Sequence, residues 1–253
     1  MTLKTYGTSN IGGRKTNDDT ALILQKGDNA WVFVGDGLGA YAGGKQASQA
    51  AGDALMAMSR RGSMLSRERM EEGAQAADAA VKAVQQQTGG SMKTTLVFLA
   101  VEGHQARWMH VGDSRLYHFR GGRLIKQTMD HSVSQMAVLL GEITQAEIRF
   151  HEDRNRVLRA LGGDSAKPDI SEPVELRQGD RFLLCTDGFW EYVTEAEMEK
   201  TLARAESPRD WVRGMEHILA GRVSGDNDNY TAAAVFCGQE KKQPFLSRLF
   251  RPA

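Results

Sequence analysis

Three apolar runs end in the same way. Trp31-Val-Phe-Val-Gly35 leads into Asp36-Gly37, Met109-His-Val-Gly112 into Asp113-Ser114, and Phe182-Leu-Leu-Cys-Thr186 into Asp187-Gly188. Asp228 lies just before the apolar run Thr231-Ala-Ala-Ala-Val-Phe236, and Asp18-Asp19 just before Ala21-Leu-Ile-Leu24. Aspartate is common in turns and depleted in strands, so each of these alone is unremarkable. The repetition is informative. Two carboxylates ~4 Å apart repel by about 4 kcal/mol at an effective dielectric of 20. If these acids converge at one end of the sheets, they stay ionised together only around a cation. Oxygen donors, without His or Cys at matching spacing, select the hard ions Mg²⁺ or Mn²⁺, and the number of acids suits two of them. The neighbouring glycines let backbone approach a ligand closely.

Other patterns compete near Asp36. Gly39-Ala-Tyr-Ala-Gly-Gly44-Lys45-Gln46 almost matches a phosphate-binding loop, yet Gln46 stands where a Ser or Thr would hold Mg²⁺. Gly37-Leu-Gly39-Ala-Tyr-Ala42 brushes the dinucleotide fingerprint, but the polar stretch from Arg60 to Glu72 supplies no strand at βαβ distance. Asp226-Asn-Asp-Asn-Tyr starts like a calcium loop and then fails at Tyr230 and Thr231.

The elements that must position the acids follow from periodicity. Strands are expected at Ala21–Leu24, Trp31–Val34, Thr94–Val101, Ala106–Val111, Ser114–Phe119, Arg181–Thr186 and Thr231–Phe236, with hairpin turns at Glu102-Gly103 and Arg120-Gly-Gly-Arg123. Their close succession favours antiparallel pairing. Helical spacing runs over Lys45–Ser59 and Ser66–Gln87. Capping boxes at Thr144–Glu147 and Thr194–Glu197, and the Ser207-Pro208 start, open further helices. Met1–Thr16 reads as polar and Gly-rich. The sum is one α+β domain with helices outside antiparallel sheets.

Composition narrows the classes. The 253 residues carry 32 Lys+Arg against 32 Asp+Glu, a balance that argues against a nucleic-acid or membrane-surface coat. Cys185 and Cys237 sit in apolar runs and read as buried thiols rather than a disulfide framework. No run reaches the ~18 apolar residues of a membrane span, and no classical signal peptide opens the chain, so a cytoplasmic protein is expected. Residues 239–253 place Lys241, Lys242, Arg248 and Arg251 among Phe245, Leu246, Leu249 and Phe250. That stretch reads either as a frayed tail or as a short basic amphipathic docking segment.

Taken in order, Arg14-Lys-Thr-Asn-Asp18-Asp19, Val34-Gly-Asp36-Gly37-Leu-Gly39, Thr94-Thr95, His110-Val-Gly-Asp113-Ser-Arg115, Asp130-His131-Ser132, Leu158-Arg-Ala-Leu-Gly162, Cys185-Thr-Asp187-Gly188 and Asp228-Asn229-Tyr-Thr231 resemble the metal-dependent serine/threonine protein phosphatases of type 2C, bacterial branch, from Gly12 to Phe236. The resemblance implies a β-sandwich of two antiparallel sheets flanked by helix pairs, in α-β-β-α layers. It makes 1–238 the phosphatase domain and implies a binuclear Mn²⁺/Mg²⁺ site. By match of position, Asp36 would bridge both metals and the Gly37 carbonyl would bind one. Asp187 and Asp228 would hold the other, Asp18 and Asp19 would act directly or through water, and Asp113 with Asp187 would serve a third, weaker site. Arg14 would grip the phosphate. A metal-activated water would attack phosphorus in line, with no covalent enzyme intermediate.

The implied substrate is a phosphorylated Ser/Thr protein, a kinase or its target, acted on by a monomer. Asp187-Gly-Phe-Trp-Glu191 leans toward relatives that serve type VI secretion. A catalytically inactive binding or scaffold protein is the alternative, and the retained acids speak against it. Departures from the family pattern are Leu38 where some relatives carry a His, Asp18 for a more usual Glu, Lys93 before Thr94-Thr95, and Ala40. The six histidines show no metal-ligand spacing and read as surface or structural residues, with His131 singled out by its place in a family motif. Ser132–Arg156 aligns with a flap beside the site, with a helix expected over Glu142–Phe150.

Overall fold

The computed structural model describes residues 1–39 and 43–238, so the stretch 239–253 lies outside the described residues. The elements in chain order are β1 (Thr2–Asn10), β2 (Thr20–Lys26), β3 (Asn29–Gly35), β4 (Gly37–Leu38), α1 (Gly43–Arg61), α2 (Arg67–Thr88), β5 (Lys93–Thr94), β6 (Leu96–Glu102), β7 (Gln105–Val111), β8 (Arg115–Arg120), β9 (Arg123–Gln127), α3 (Val133–Leu139), β10 (Asp169–Ile170), β11 (Val174–Glu175), β12 (Arg181–Cys185), α4 (Asp187–Trp190), α5 (Glu195–Leu202), α6 (Pro208–Ala220) and β13 (Tyr230–Gly238). One sheet has the order β1-β13-β12-β8-β9 and the other β10-β7-β6-β3-β2, with β11 also on β7 and a small β4–β5 pair. Every ladder between these strands is antiparallel.

Alternation along the strands builds the layers. Val32 and Val34 of β3 meet Leu184 of β12 and Val235 of β13 between the sheets, while Phe33 and Phe98 turn outward onto Ala51, Leu55, Met70 and Val81 of α1 and α2. On the other side Leu183, Cys185 and Ala234 face Trp211, Val212 and Met215 of α6. The order of layers is α-β-β-α, and Cys185 and Cys237 are free and buried. Ser66 caps α2 by accepting the Arg69 N–H at 3.1 Å, and Ser207 caps α6 in the same way through Asp210 N–H. No described helix is long and apolar enough to cross a membrane.

Three expectations change. Met1–Thr16 contains strand β1, paired with β13 from Thr2↔Gly238 to Asn10↔Tyr230. An edge strand with one wet face needs no apolar run, so its polar residues concealed it. The run from Thr94 breaks at Thr95, whose side chain and backbone are taken up by the Asp36 turn. Glu142–Phe150 is not one helix: α3 lies earlier, and the capping box at Thr144 opens only a 3₁₀ turn over Gln145–Phe150.

Candidate metal centre

Register brings the acids together. Thr20 pairs with Gly35, Leu96 with Val111, and Cys185 with both Ala232 and Arg115. The starts of β2, β8 and β13 and the ends of β3, β7 and β12 therefore share one end of the sandwich. Asp18-Asp19, Asp36, Asp113, Asp187 and Asp228 follow from those ends into a common region. Convergence at one end of the sheets is what the acids need to act together, and the antiparallel order supplies it.

Hydroxyls, amides and backbone, together with one lysine, hold these turns. Asp36 N–H donates to Thr95 Oγ1 at 2.8 Å, and its carbonyl accepts Thr95 N–H and the Thr94 hydroxyl at 2.9 Å each. The Thr186 hydroxyl donates to Asp19 Oδ2 at 2.8 Å. Asn229 Oδ1 accepts Asp18 N–H at 2.8 Å, while its amide nitrogen donates to the Ile11 and Thr16 carbonyls, pinning the loop that carries Arg14. Gly37 and Gly44 pack backbone to backbone, and a Cβ on Gly37 would overlap the Gly44 carbonyl. Lys45, the would-be phosphate-loop lysine, donates instead to the Asp19 carbonyl at 2.6 Å and the Thr20 hydroxyl at 2.9 Å.

The electrostatics are those of carboxyls crowded together out of water. Burial, and then repulsion from Asp187, Asp19, Asp113 and Asp228, pushes the Asp36 carboxyl well above the usual range. Asp113 is raised likewise by burial and Asp187. Burial lifts Asp19 to about 7, and burial with Asp228 lifts Asp187 to about 6. Asp18, Asp19 and Asp113 each hold a buried Oδ1 with no hydrogen-bond partner. Orphaned anionic oxygens at this density fit hard divalent cations and nothing the fold itself provides.

Arg14 reaches the cluster, but its fork lies on Asp228, with Nε–Oδ1 at 2.9 Å and Nη2–Oδ2 at 2.8 Å. Both side chains are about half exposed, at 55% and 44%. Arg14, Asp18, Asp36, Gly37, Asp187 and Asp228 line a cleft of about 390 Å³, and Leu38 stands in it with no titratable group. Asn155 and Val157, from the stretch aligned with the flap, form its far wall. Arg154 ties that wall down through Glu191, Nε–Oε1 3.0 Å. Burial and Asp187 push the Glu191 carboxyl up to about 7. Asn229, Thr95, Thr186 and Glu191 all stand in the motifs read from the sequence, but no role was assigned to any of them there. Asn229 was legible from its place beside Asp228, whereas Thr186 becomes visible only when β12 is laid beside β13, and Glu191 only when Arg154 is laid against it. His110, His131 and Asp169 form a separate group beside this centre.

The family model "Protein phosphatase 2C" matches residues 6–221. The serine/threonine protein phosphatase PstP of Mycobacterium tuberculosis is 32% identical over 224 residues, 85% of this chain, and the chain spans 42% of that protein's length. The solved catalytic domain of PstP in complex with 2 manganese ions superposes with a TM-score of 0.79 at 29% identity, covering 94% of this chain and 99% of that one. PppA, described as a key regulatory component of T6SS in Pseudomonas aeruginosa, superposes with a TM-score of 0.77 at 29% identity over 93% of this chain and 98% of that one.

Proposed function

The chain belongs to the protein phosphatase 2C family, and from that premise we propose that it removes phosphate from phosphoserine and phosphothreonine in proteins, using two Mn²⁺ or Mg²⁺ ions. The observation that carries the reading is the gathering of Asp19, Asp36, Asp113, Asp187 and Asp228, with a buried, unpartnered oxygen on each of Asp18, Asp19 and Asp113, and no ion pair to these acids beyond Arg14 on Asp228 among the described residues. Asp36 would bridge the ions, with the Gly37 carbonyl on one and Asp187 and Asp228 on the other. Asp18 and Asp19 would complete them, and Asp113 with Asp187 would hold a weaker third. When bound, the pair supplies Lewis acidity and a water acidified toward neutral pH.

The chain's own groups do the rest. Arg14 moves its fork from Asp228 to a phosphoryl group, a transfer that costs little because an exposed pair of this kind is worth about 0–1 kcal/mol. Thr95, Thr186 and Asn229 hold the acid-bearing turns still, so charge is placed before substrate arrives. Leu38 has no proton to offer a leaving alkoxide.

The finer reading is opposition to a bacterial Ser/Thr kinase in the cytoplasm, by a monomer, in control of type VI secretion. Likeness to PppA supports that pathway. The test is phosphate release from a phosphothreonine peptide with Mn²⁺, Mg²⁺ or EDTA, beside Asp36→Asn. Release is expected with metal only and should vanish in the variant. A folded wild type that releases nothing with either metal would shift the reading to phosphoprotein binding without catalysis.

A further inference from the structure

Asp113 takes its direction from Gly112, whose backbone turns at φ 101°, a conformation open to glycine. One residue holds both polar groups of that glycine. Gly112 N–H donates to His131 Nδ1 at 3.1 Å, and His131 N–H donates to the Gly112 carbonyl at 2.9 Å. A backbone N–H can only donate, so Nδ1 is the bare ring nitrogen and Nε2 carries the proton. That nitrogen lies 3.3 Å from Asp169 Oδ2 and 3.2 Å from Arg159 Nη1, which also donates to Oδ1 of the same carboxylate at 3.1 Å. His110 stacks on the ring with centroids 4.6 Å apart and planes 11° from parallel. His110 is itself anchored, with Nε2 2.7 Å from the Met129 carbonyl. The imidazole is therefore fixed at Nδ1 and on one face, with Nε2 turned toward the Asp169–Arg159 pair.

The same geometry rules against a cation gathered by His110, His131 and Asp169, although their donor atoms lie within 4.8 Å of one another. Ligation through His131 Nε2 would drive the ring proton onto Nδ1, against the Gly112 N–H. Arg159 Nη1, 3.2 Å from Nε2, would repel the ion as well. The backbone of His131 also reaches the other way: its carbonyl accepts Leu158 N–H at 2.7 Å, next to Val157 in the cleft wall.

Building on the metallophosphatase reading, we propose that His131 is a positioning residue for the acid cluster: by clamping Gly112 it aims the Asp113 carboxylate, and so sets the affinity of the cation that Asp113 helps to hold. It touches neither cation nor phosphate. The oriented ring acts on the centre as outer hydrogen bonds act on metal ligands generally.

The test is a Mn²⁺ titration of the full chain, with free Mn²⁺ read by electron paramagnetic resonance and no substrate present. Asp113→Asn first identifies the Mn²⁺ equivalent that depends on Asp113. Asn at 131 can place Oδ1 where Nδ1 sits and accept the Gly112 N–H, whereas Gln carries its amide out toward Asp169 and leaves that N–H unpaired. His131→Ala and His131→Gln should weaken the Asp113-dependent equivalent by about tenfold or more, while His131→Asn stays within about threefold of wild type. The tighter equivalents should not move. Thermal unfolding in EDTA runs alongside, and if His131→Ala does not fold the Asn–Gln pair decides. Equal losses in Asn and Gln, or no loss in any folded variant, would overturn the proposal. A wild type that binds no Mn²⁺ is a different failure, because it removes the metallophosphatase reading as well.

Discussion

Strand β12 has an aspartate at each end, and the two carboxylates live under opposite electrostatics. Asp180, just before the strand, is fully buried, accepts the Arg120 fork at 2.7 Å through both oxygens, and accepts the Arg177 N–H at 2.9 Å. His118 Nε2 lies 3.4 Å from the same carboxylate. Burial works to raise this group, but Arg120, His118 and the backbone outweigh it and hold the carboxyl well below the usual range. Asp187, just beyond the strand, is pushed up to about 6 by burial and by Asp228. A buried acid neutralised within the chain is architecture, whereas a buried acid surrounded by acids is waiting for a partner from outside. Asp130 shows that the distinction is not one of location. It lies at the acid-rich end, yet Arg115 forks onto it at 2.8 and 2.7 Å and stacks on Trp190 at 3.4 Å, so it belongs with Asp180.

The contrast breaks most clearly by exchanging each acid for its amide. Asp187→Asn should lower phosphate release by about 10²–10³-fold or more, yet in EDTA it should melt no lower than wild type, since a like charge has been removed. Asp180→Asn should keep metal-dependent turnover per folded molecule and lose about 2–3 kcal/mol in urea unfolding, below the range for a fully buried pair because Arg120 is partly wet. Equal destabilisation by the two variants in EDTA would erase the comparison. Acid sharpens it further. The Asp180 carboxyl is depressed in the folded state, so its contribution is present above its unfolded value of about 4 and is lost as pH falls through the folded value. The gap in urea midpoint between wild type and Asp180→Asn should therefore be widest near neutral pH and close progressively below about pH 4. A gap that stays constant would mean that Asp180 is held by packing rather than by charge.

The site was more legible than some of the fold around it. Asp36, Asp113 and Asp187 announced themselves because an apolar strand followed by an acid is a local pattern, and alternation in β3 and β12 was equally local. Strand β1 was hidden because half its surface is wet and its partner, β13, lies at the far end of the chain. The hydrogen bonds between Asn229 and Asp18 and between Thr186 and Asp19 were hidden for the same reason, since each closes a contact between segments far apart in the chain. Arg14 was assigned to phosphate by resemblance, and in the structure it rests on Asp228. Spacing predicts which residues meet, but not which of two anions a half-exposed guanidinium takes first.

That choice leads to the smallest expected effect. Arg14 sits at the cleft mouth with its side chain about half exposed, so its contact with a phosphoryl group forms partly in water. Arg14→Lys keeps the charge and loses the planar fork, removing one of two parallel hydrogen bonds. A bond of this kind is worth about 0.5–1.5 kcal/mol, so kcat/KM should fall by roughly three- to tenfold. The loss should appear in KM, because substrate capture is the step the fork assists. The Mn²⁺ concentration for half-maximal activity should not rise, since lysine competes no better than arginine for Asp228. Were the variant instead to need less Mn²⁺ with KM unchanged, Arg14 would be acting mainly as a stand-in for the cation on Asp228, and that end of β12 would be partly self-neutralised after all.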